Sequence, residues 1–546
     1  MRGVDRDMRR LLRFPFIAIG LLLCAFPAHA TPDLALDRGT AITEPYALRE
    51  LDHGRFDLGR VLAPARPADQ PLTNDQLFAL PSMAPVRKAL DEDFRRYIQS
   101  QRAHFPGDAI GVGQSFDIQL FDHALLYSAD TRFVLAGIVS RMDRAYVSRA
   151  NCGEVRLVYR LTRLPDFAGN DRMSFAGNDL STSARLPMTL NVVLRAKGDH
   201  DTGASGAALS CAEIARRWLA AGELTETGAE LASKLTAKDG PLDLIRPENI
   251  DRLETNLQIA HMPKSEAHEF RTDYLMKVFD YHAPGTFDEA PMEDQIDRER
   301  LLADASLRQE FRAWLLQADH FRELDRGTIL IPDKFLARSA ITSTPVGFAP
   351  SDLQPAHGLV QGYGAPAEPT FQESDIVTAL QKAADGNQPL DNIRSVAGFE
   401  RRLNDVSCSG CHETRGVGGF HFPGVDWMVP KPSNVTVVPA SPHFLGDQVR
   451  RRDIEVALRD GKEPDFSHGF ASRPQTRGST ELAGSDYQDG WGAHCYQAHA
   501  NPAEDDKSFA SWTCAGGLAC QVMSPATRMG MCFIPSARKV DSSSHD

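Results

Sequence analysis

From about residue 115 to 290, apolar and polar positions alternate with the period of a β-strand. Met188, Leu190, Val192 and Leu194 alternate with Thr189, Asn191 and Arg195. Phe270, Thr272, Tyr274, Met276 and Val278 alternate with Asp273 and Lys277. Each run predicts a half-buried strand, because successive side chains in a strand point to opposite faces. Runs from Phe133 to Val139 and from Val155 to Leu161 predict further strands. Between them, Ile214, Ala215, Trp218 and Leu219 fall on one face of a helix, as do Leu307, Phe311, Trp314 and Leu315 further on. Later helices are signalled by Ile376, Leu380 and Ala383 after Ser374, and by Gly398 and Phe399. Another is signalled by Ile454, Ala457 and Leu458, with Asp447 read as its N-cap. Residues 31–90 carry many prolines and no sustained period, which predicts an irregular arm. The pattern as a whole predicts an α+β domain with antiparallel strands over 91–290, a helical connector over 291–369 and a helical segment over 370–480.

The first thirty residues stand apart. Arg9, Arg10 and Arg13 precede an apolar run from Phe14 to Phe26, and Ala28-His29-Ala30 follows as a small-x-small cleavage pattern. This order predicts a secretory signal peptide over 1–30, and hence an exported, periplasmic or outer-envelope protein. The run is too short to span a bilayer, and no later stretch reaches the roughly 20 residues a spanning helix needs. The 546 residues are 42% hydrophobic and 24% charged, ordinary globular values that exclude collagenous, coiled-coil and wholly disordered classes. The formal net charge of -13 gives no reason to expect nucleic acid as a partner. Removing the five Arg and two Asp of residues 1–30 makes the remainder more acidic still.

Export changes how the cysteines are read, since an oxidising compartment lets thiols pair. Cys152 opens a predicted strand and Cys211 starts a predicted helix, so a disulfide between them would pin helix to sheet. Cys495, Cys514, Cys520 and Cys532 lie in a segment with few apolar residues, and such segments need staples. Residues 481–536 therefore read as a small module with two disulfides, of three alternative connectivities, followed by a disordered tail over 537–546. A zinc site using His494 and His499 beside Cys495 is the alternative, disfavoured by export.

Hydrolase and nucleotide signatures are absent: there is no G-x-x-x-x-G-K-[ST], G-x-S-x-G or H-E-x-x-H. Residues 408–412, however, read Cys-Ser-Gly-Cys-His, the C-x-x-C-H pattern of covalent c-type haem attachment. Cysteines three apart can share one side of a helical turn and reach the porphyrin vinyl groups, while the adjoining histidine meets the iron. On this motif and the helices around it, residues 370–480 resemble an all-α cytochrome c-like domain. The resemblance implies thioether bonds at Cys408 and Cys411, iron ligation by His412 as proximal ligand, and a covalently bound c-type haem.

The sixth iron position is less well marked. Met428 lies only 16 residues after His412, and His443, in Ser441-Pro442-His443-Phe444, approaches a predicted helix. These two are the leading distal candidates, with His421, His468 and an open site behind them. An open site would favour peroxide or oxygen chemistry. A plain Cys408–Cys411 disulfide, or a thioredoxin-type redox pair, is the competing reading of the motif. The sequence thus predicts an exported mono-haem protein that transfers electrons to a redox partner protein or works as a haem-dependent oxidoreductase on an unidentified small molecule. The alternative is a disulfide-stabilised envelope binding or structural protein without haem.

Overall fold

The computed structural model describes residues 35, 37–64, 71–114, 119–164, 185–198, 201, 208–264, 271–282, 285–343, 370–386, 390–410, 442–469, 494–514, 516–522 and 528–535. Strand β1 (Ala41–Ile42) is followed by helices α1 (Pro45–His53), α2 (Leu58–Leu62), α3 (Asn74–Phe78) and α4 (Ala84–His104). Then come β2 (Ala109–Gln114), β3 (Gln119–Leu120), β4 (Thr131–Arg141), β5 (Glu154–Arg163) and β6 (Arg185–Arg195). Helices α5 (Cys211–Gly222) and α6 (Gly228–Thr236) precede β7 (Ile250–Met262), β8 (Arg271–His282) and β9 (Thr286–Ala290). Helices α7 (Arg298–Ala303), α8 (Ala305–Leu315) and α9 (Ala318–Arg326) lead to β10 (Ser339–Ser343). Helices α10 (Glu373–Asp385), α11 (Val396–Asp405) and α12 (Pro442–Arg459) follow. Strands β11 (His494–Tyr496), β12 (Ala519–Val522) and β13 (Met529–Phe533) close the described chain.

Strands β1 to β10 form one antiparallel sheet whose main path runs β1-β4-β5-β6-β7-β2-β3, with β8 joining β7 to β9 and β10. One face is apolar: the aligned row Leu157, Val192, Leu253 and Phe279 crosses β5 to β8 and lies in the main core. The described residues of 31–90 differ from the irregular arm their prolines suggested. Helices α1 to α3 bring Leu48, Leu51, Val61, Leu77 and Phe78 into that same core, where the apolar positions are too few per helix to show a period. Glu44 and Asp57 cap α1 and α2 by accepting the Ala47 and Arg60 N–H groups.

The opposite face is buried as well, which half-buried strands did not lead us to expect. Its rows read Val158, Asn191, Glu254, Val278 and Ala290, and Arg160, Thr189, Asn256, Met276 and Ala340. In β8 the consequence is a change of face. Leu275 and Phe279 enter the main core, whereas Met276 and Val278, read from the sequence as the core side, face a separate cluster with Ala340 and Cys408. Covering elements hide the polar alternation from solvent.

Among the described residues, the expected all-α cytochrome c-like domain over 370–480 is not seen. Helices α10 and α11 share one core with α7, α8 and α9: Phe399 packs against Phe371 and Phe321 at ring distances of 5.0 and 5.6 Å. The Asp325 carboxylate at the end of α9 accepts the N–H groups of Asp391, Asn392 and Ile393, tying that helix to the entry of α11. Helix α12 leaves this core and docks on the sheet, with Phe444 among Ala41, Val134, Ala136 and Val158 and with Ser140 donating to Glu455 at 2.6 Å. It starts at Pro442 rather than at Asp447, which instead lies inside it and bridges Arg450 and Arg451. The amphipathic stripes were present, but a stripe states that a face is buried and not what covers it.

Three disulfides occur among the described residues. Cys152–Cys211 pins α5 to the start of β5, and Cys495–Cys520 and Cys514–Cys532 settle the connectivity of the C-terminal segment. That segment packs on α11 through Phe509, Trp512 and Met529 against Ala397. No described helix is long and apolar enough to cross a membrane.

Candidate functional site

Cys408 is placed where the helical core meets the second face of the sheet. Helix α11 ends at Asp405, Val406 and Ser407 turn the chain, and residues 408–410 begin a new helical turn. Gly410 N–H donates to the Ser407 hydroxyl at 3.0 Å, so serine caps the turn that carries the motif. A Cβ at Gly410 would come within 2.0 Å of the Asn404 carbonyl oxygen, so the tight turn requires glycine there.

The motif is tied to the sheet by buried hydrogen bonds. Ser409 N–H donates to Gln295 Oε1 at 2.9 Å, and Gln295 Nε2 donates to Ser409 Oγ at 3.0 Å. Thr342 on β10 donates its hydroxyl to the Ser409 carbonyl at 3.1 Å. Cys408 Sγ lies 3.6 Å from the Glu293 carbonyl oxygen, toward which it donates. A single segment, residues 292–295, thus engages the first two residues of the C-x-x-C-H motif.

Cys408 opens into a cavity of about 460 Å³, within the size range of small-molecule and cofactor sites. At the cysteine its walls are apolar, formed by Met276, Met292 and Val278. Farther along the sheet the wall is ionic. Glu154 bridges Arg144 at 3.2 Å, Arg156 at 3.3 Å and Arg252 at 2.9 Å, while Glu254 bridges Arg252 at 3.0 Å and Arg156 at 3.4 Å. Asn191 donates to Glu254 at 3.2 Å, and Arg144 reaches Glu293 beside Met292.

The electrostatics of this wall follow from the pairing. Burial by itself would raise Glu154, but Arg144, Arg252 and Arg156 outweigh it and hold the carboxylate well below its usual range. Glu254 is lowered in the same way against its own burial by Arg156 and Arg252. Arg156 is drawn down to about 10, chiefly by burial, and remains charged at neutral pH. Asp294 is the exception. Burial, reinforced by neighbouring Glu293, pushes its carboxyl well above the normal range, while it accepts the Ile331 N–H at 3.0 Å. The cavity therefore combines a thiol in an apolar corner, a fixed ionic lattice and one carboxyl pushed upward by burial.

The other expected site residues distribute unevenly. Cys411, His412, His421 and Met428 lie outside the described residues. His443 lies in the first turn of α12, with its side chain outside the description. His468 is placed away from Cys408, beside Asp143 and Asp447, where burial and Arg450 push its imidazole down to about 3. His494 packs against Trp512 and meets Arg401, while Cys495 beside it is taken by a disulfide rather than by zinc. Sequence reasoning missed Gln295, Thr342 and Met292, which sit in short segments without period. It also missed the Arg156–Glu254 lattice, although the polar positions of β5 and β7 were there to be read.

Comparison with protein families, curated proteins and solved structures finds no match to this chain.

Proposed function

We propose that this chain is an exported haem-c protein. In this reading Cys408 and Cys411 would hold the porphyrin by thioether bonds and His412 would ligate the iron. The single observation that carries the reading is the placement of Cys408, the first residue of a C-x-x-C-H motif, at the apolar corner of a cofactor-sized cavity. Of the residues present, Met276, Met292 and Val278 would give a porphyrin edge aliphatic and thioether contacts beside Cys408, whereas the rest of the lining is largely charged. When bound, haem supplies one-electron exchange at iron.

The chain's own part is positional and electrostatic. Gln295 and Thr342 hold the Ser409 backbone, which sets where Cys408 is presented. The buried Glu154–Arg252 lattice places fixed charge at the far wall, where solvent cannot screen it. Asp294, whose carboxyl burial pushes well above the normal range, also lines the cavity. Together these favour an electron-transfer or oxidoreductase role, with a redox partner protein or a small molecule as the other party. Export is supported by the leader-like residues 1–30 and by the disulfides.

The test is expression with c-type haem assembly machinery, followed by a pyridine haemochrome spectrum of the denatured chain. Covalent haem in the wild type, lost in a Cys408→Ser, Cys411→Ser double variant, is the expected result. A wild-type chain without covalent haem overturns the reading and leaves a disulfide-stabilised envelope binding protein, the role favoured by the three disulfides.

A further inference from the structure

The charges that line the Cys408 cavity do not cancel. Seven carboxyl groups line it against four arginines and one lysine, and Lys277 is already held by Asp93 and Glu289 outside the lining. We propose that this cavity binds a small organic cation, a primary ammonium carrying an apolar group, with Asp294 as its counter-ion; the proposal goes beyond the haem reading and does not rest on it.

Three observations carry it. First, pairing within the wall leaves an acidic remainder. Glu154, Glu254 and Glu293 are matched by Arg144, Arg156 and Arg252, and Asp251 shares Arg252. Asp280, Asp294 and Asp333 form no ion pair among the described residues, and only Arg195, which donates to the Glu248 carbonyl at 2.8 Å, stands against them. Second, Asp294 is 8% exposed and yet lines the cavity. One of its oxygens accepts the Ile331 N–H, and Arg144, the cation that acts on it, is engaged by Glu154 and Glu293. A buried carboxyl short of positive charge is costly, and an ammonium in the cavity would supply that charge. Asp294 also sits at a φ of 55°, a left-handed conformation uncommon outside glycine and frequent at ligand sites. Third, the surroundings suit the apolar part of such a ligand. Leu330 and Val147 are 40% and 38% exposed where they line the cavity, Ile331 adjoins Asp294, and Tyr146 adds an aromatic ring. A carboxyl beside aromatic and aliphatic surface is what a substituted ammonium requires. A metal ion is disfavoured, because among the described residues the acid, histidine and cysteine groups close enough to share one lie elsewhere, at Asp143, Asp447 and His468 and at the C-terminal cysteines.

The experiment is isothermal titration calorimetry of the full-length exported chain at neutral pH. The probes are hexylammonium and phenethylammonium, with hexanol, 2-phenylethanol and 3-phenylpropionate as neutral and anionic counterparts. The expected result is that the two ammonium ions bind and that the neutral and anionic probes bind at least about tenfold more weakly, the loss of one charged hydrogen bond. Asp294→Asn keeps an acceptor for the Ile331 N–H and a side chain tolerant of positive φ, so the fold is preserved, and it should weaken the ammonium ions by about tenfold or more. Leu330→Arg changes an exposed residue and sets a positive charge in the lining, and it should weaken them as well by repulsion. It decides the matter if Asp294→Asn fails to fold. A wild type that binds neither ammonium ion, equal binding of ammonium and alcohol, or affinity unchanged in the folded variants overturns the proposal. A pyridine haemochrome assay on the same samples keeps the two readings apart. Ammonium binding without covalent haem refutes the haem reading alone, and covalent haem without ammonium binding refutes this one alone.

Discussion

Glu455 illustrates what burial does to one side chain. It sits on α12 against the sheet, accepts the Ser140 hydroxyl, and is pushed up to about 8 by burial, with Asp143 adding to the shift and Arg451 opposing it. Its folded-state value lies above the ordinary 4.5. Stability is therefore full below about pH 4.5, falls as the unfolded chain ionises first, and is lost as pH rises through about 8. Glu455→Gln keeps an acceptor for Ser140 and removes the titration. It should remove this contribution to the pH slope and gain about 4 kcal/mol at pH 8 relative to wild type. Urea unfolding of both proteins at pH 5 and pH 8 checks it, and equal pH slopes would refute it. His468 acts with the opposite sign: with its imidazole held down to about 3, the stability it supports is present above pH 6.5 and lost as pH falls toward 3. Neither effect was legible in the chain, because Glu455 and His468 look like surface residues until α12 is seen docked.

At the scale of elements, the strand runs around Met188 and Met276 were legible and correspond to β6 and β8. The face each strand turns to the main core was legible only in part. In β6 the alternating apolar set faces that core; in β8 the set marked by Met276 and Val278 faces the cavity, because Leu275 and Phe279 on the other side are also apolar. Alternation distinguishes two faces but cannot rank them when both are covered. Cysteine positions were more informative, since strand start and helix start proved to be joined at Cys152–Cys211 across 59 residues. Replacing both cysteines by serine should cost about 3–4 kcal/mol by freeing that loop in the unfolded chain. A calorimetric comparison reads this directly, and an unchanged melting temperature would show that the staple is redundant.

At the scale of the molecule, segments separated in the sequence share their cores. Helices α10 and α11 are completed by α7 to α9, α12 is completed by the sheet, and the C-terminal segment is completed by α11. The Arg401–Asp405 pair, fully buried at 2.7 Å with the guanidinium over Trp512, belongs to this last junction. Residues 370–480 expressed alone should therefore lack cooperative unfolding, since Phe444 would lose its sheet partners and Phe399 would lose Phe321 of α9. Circular dichroism during a thermal ramp is the measurement, and a sharp transition would restore the idea of a self-contained helical domain. The sequence by itself determined the local features: strand and helix periods, the cysteines able to pair, and a five-residue motif whose spacing is its chemistry. Only the tertiary structure decided which faces are buried against which, that Cys408 meets Met292 and Ser409 meets Gln295, and that polar strand positions form an interior ionic lattice. Local geometry follows from neighbours in the chain, whereas burial is set by long-range contacts that one chain's pattern leaves degenerate.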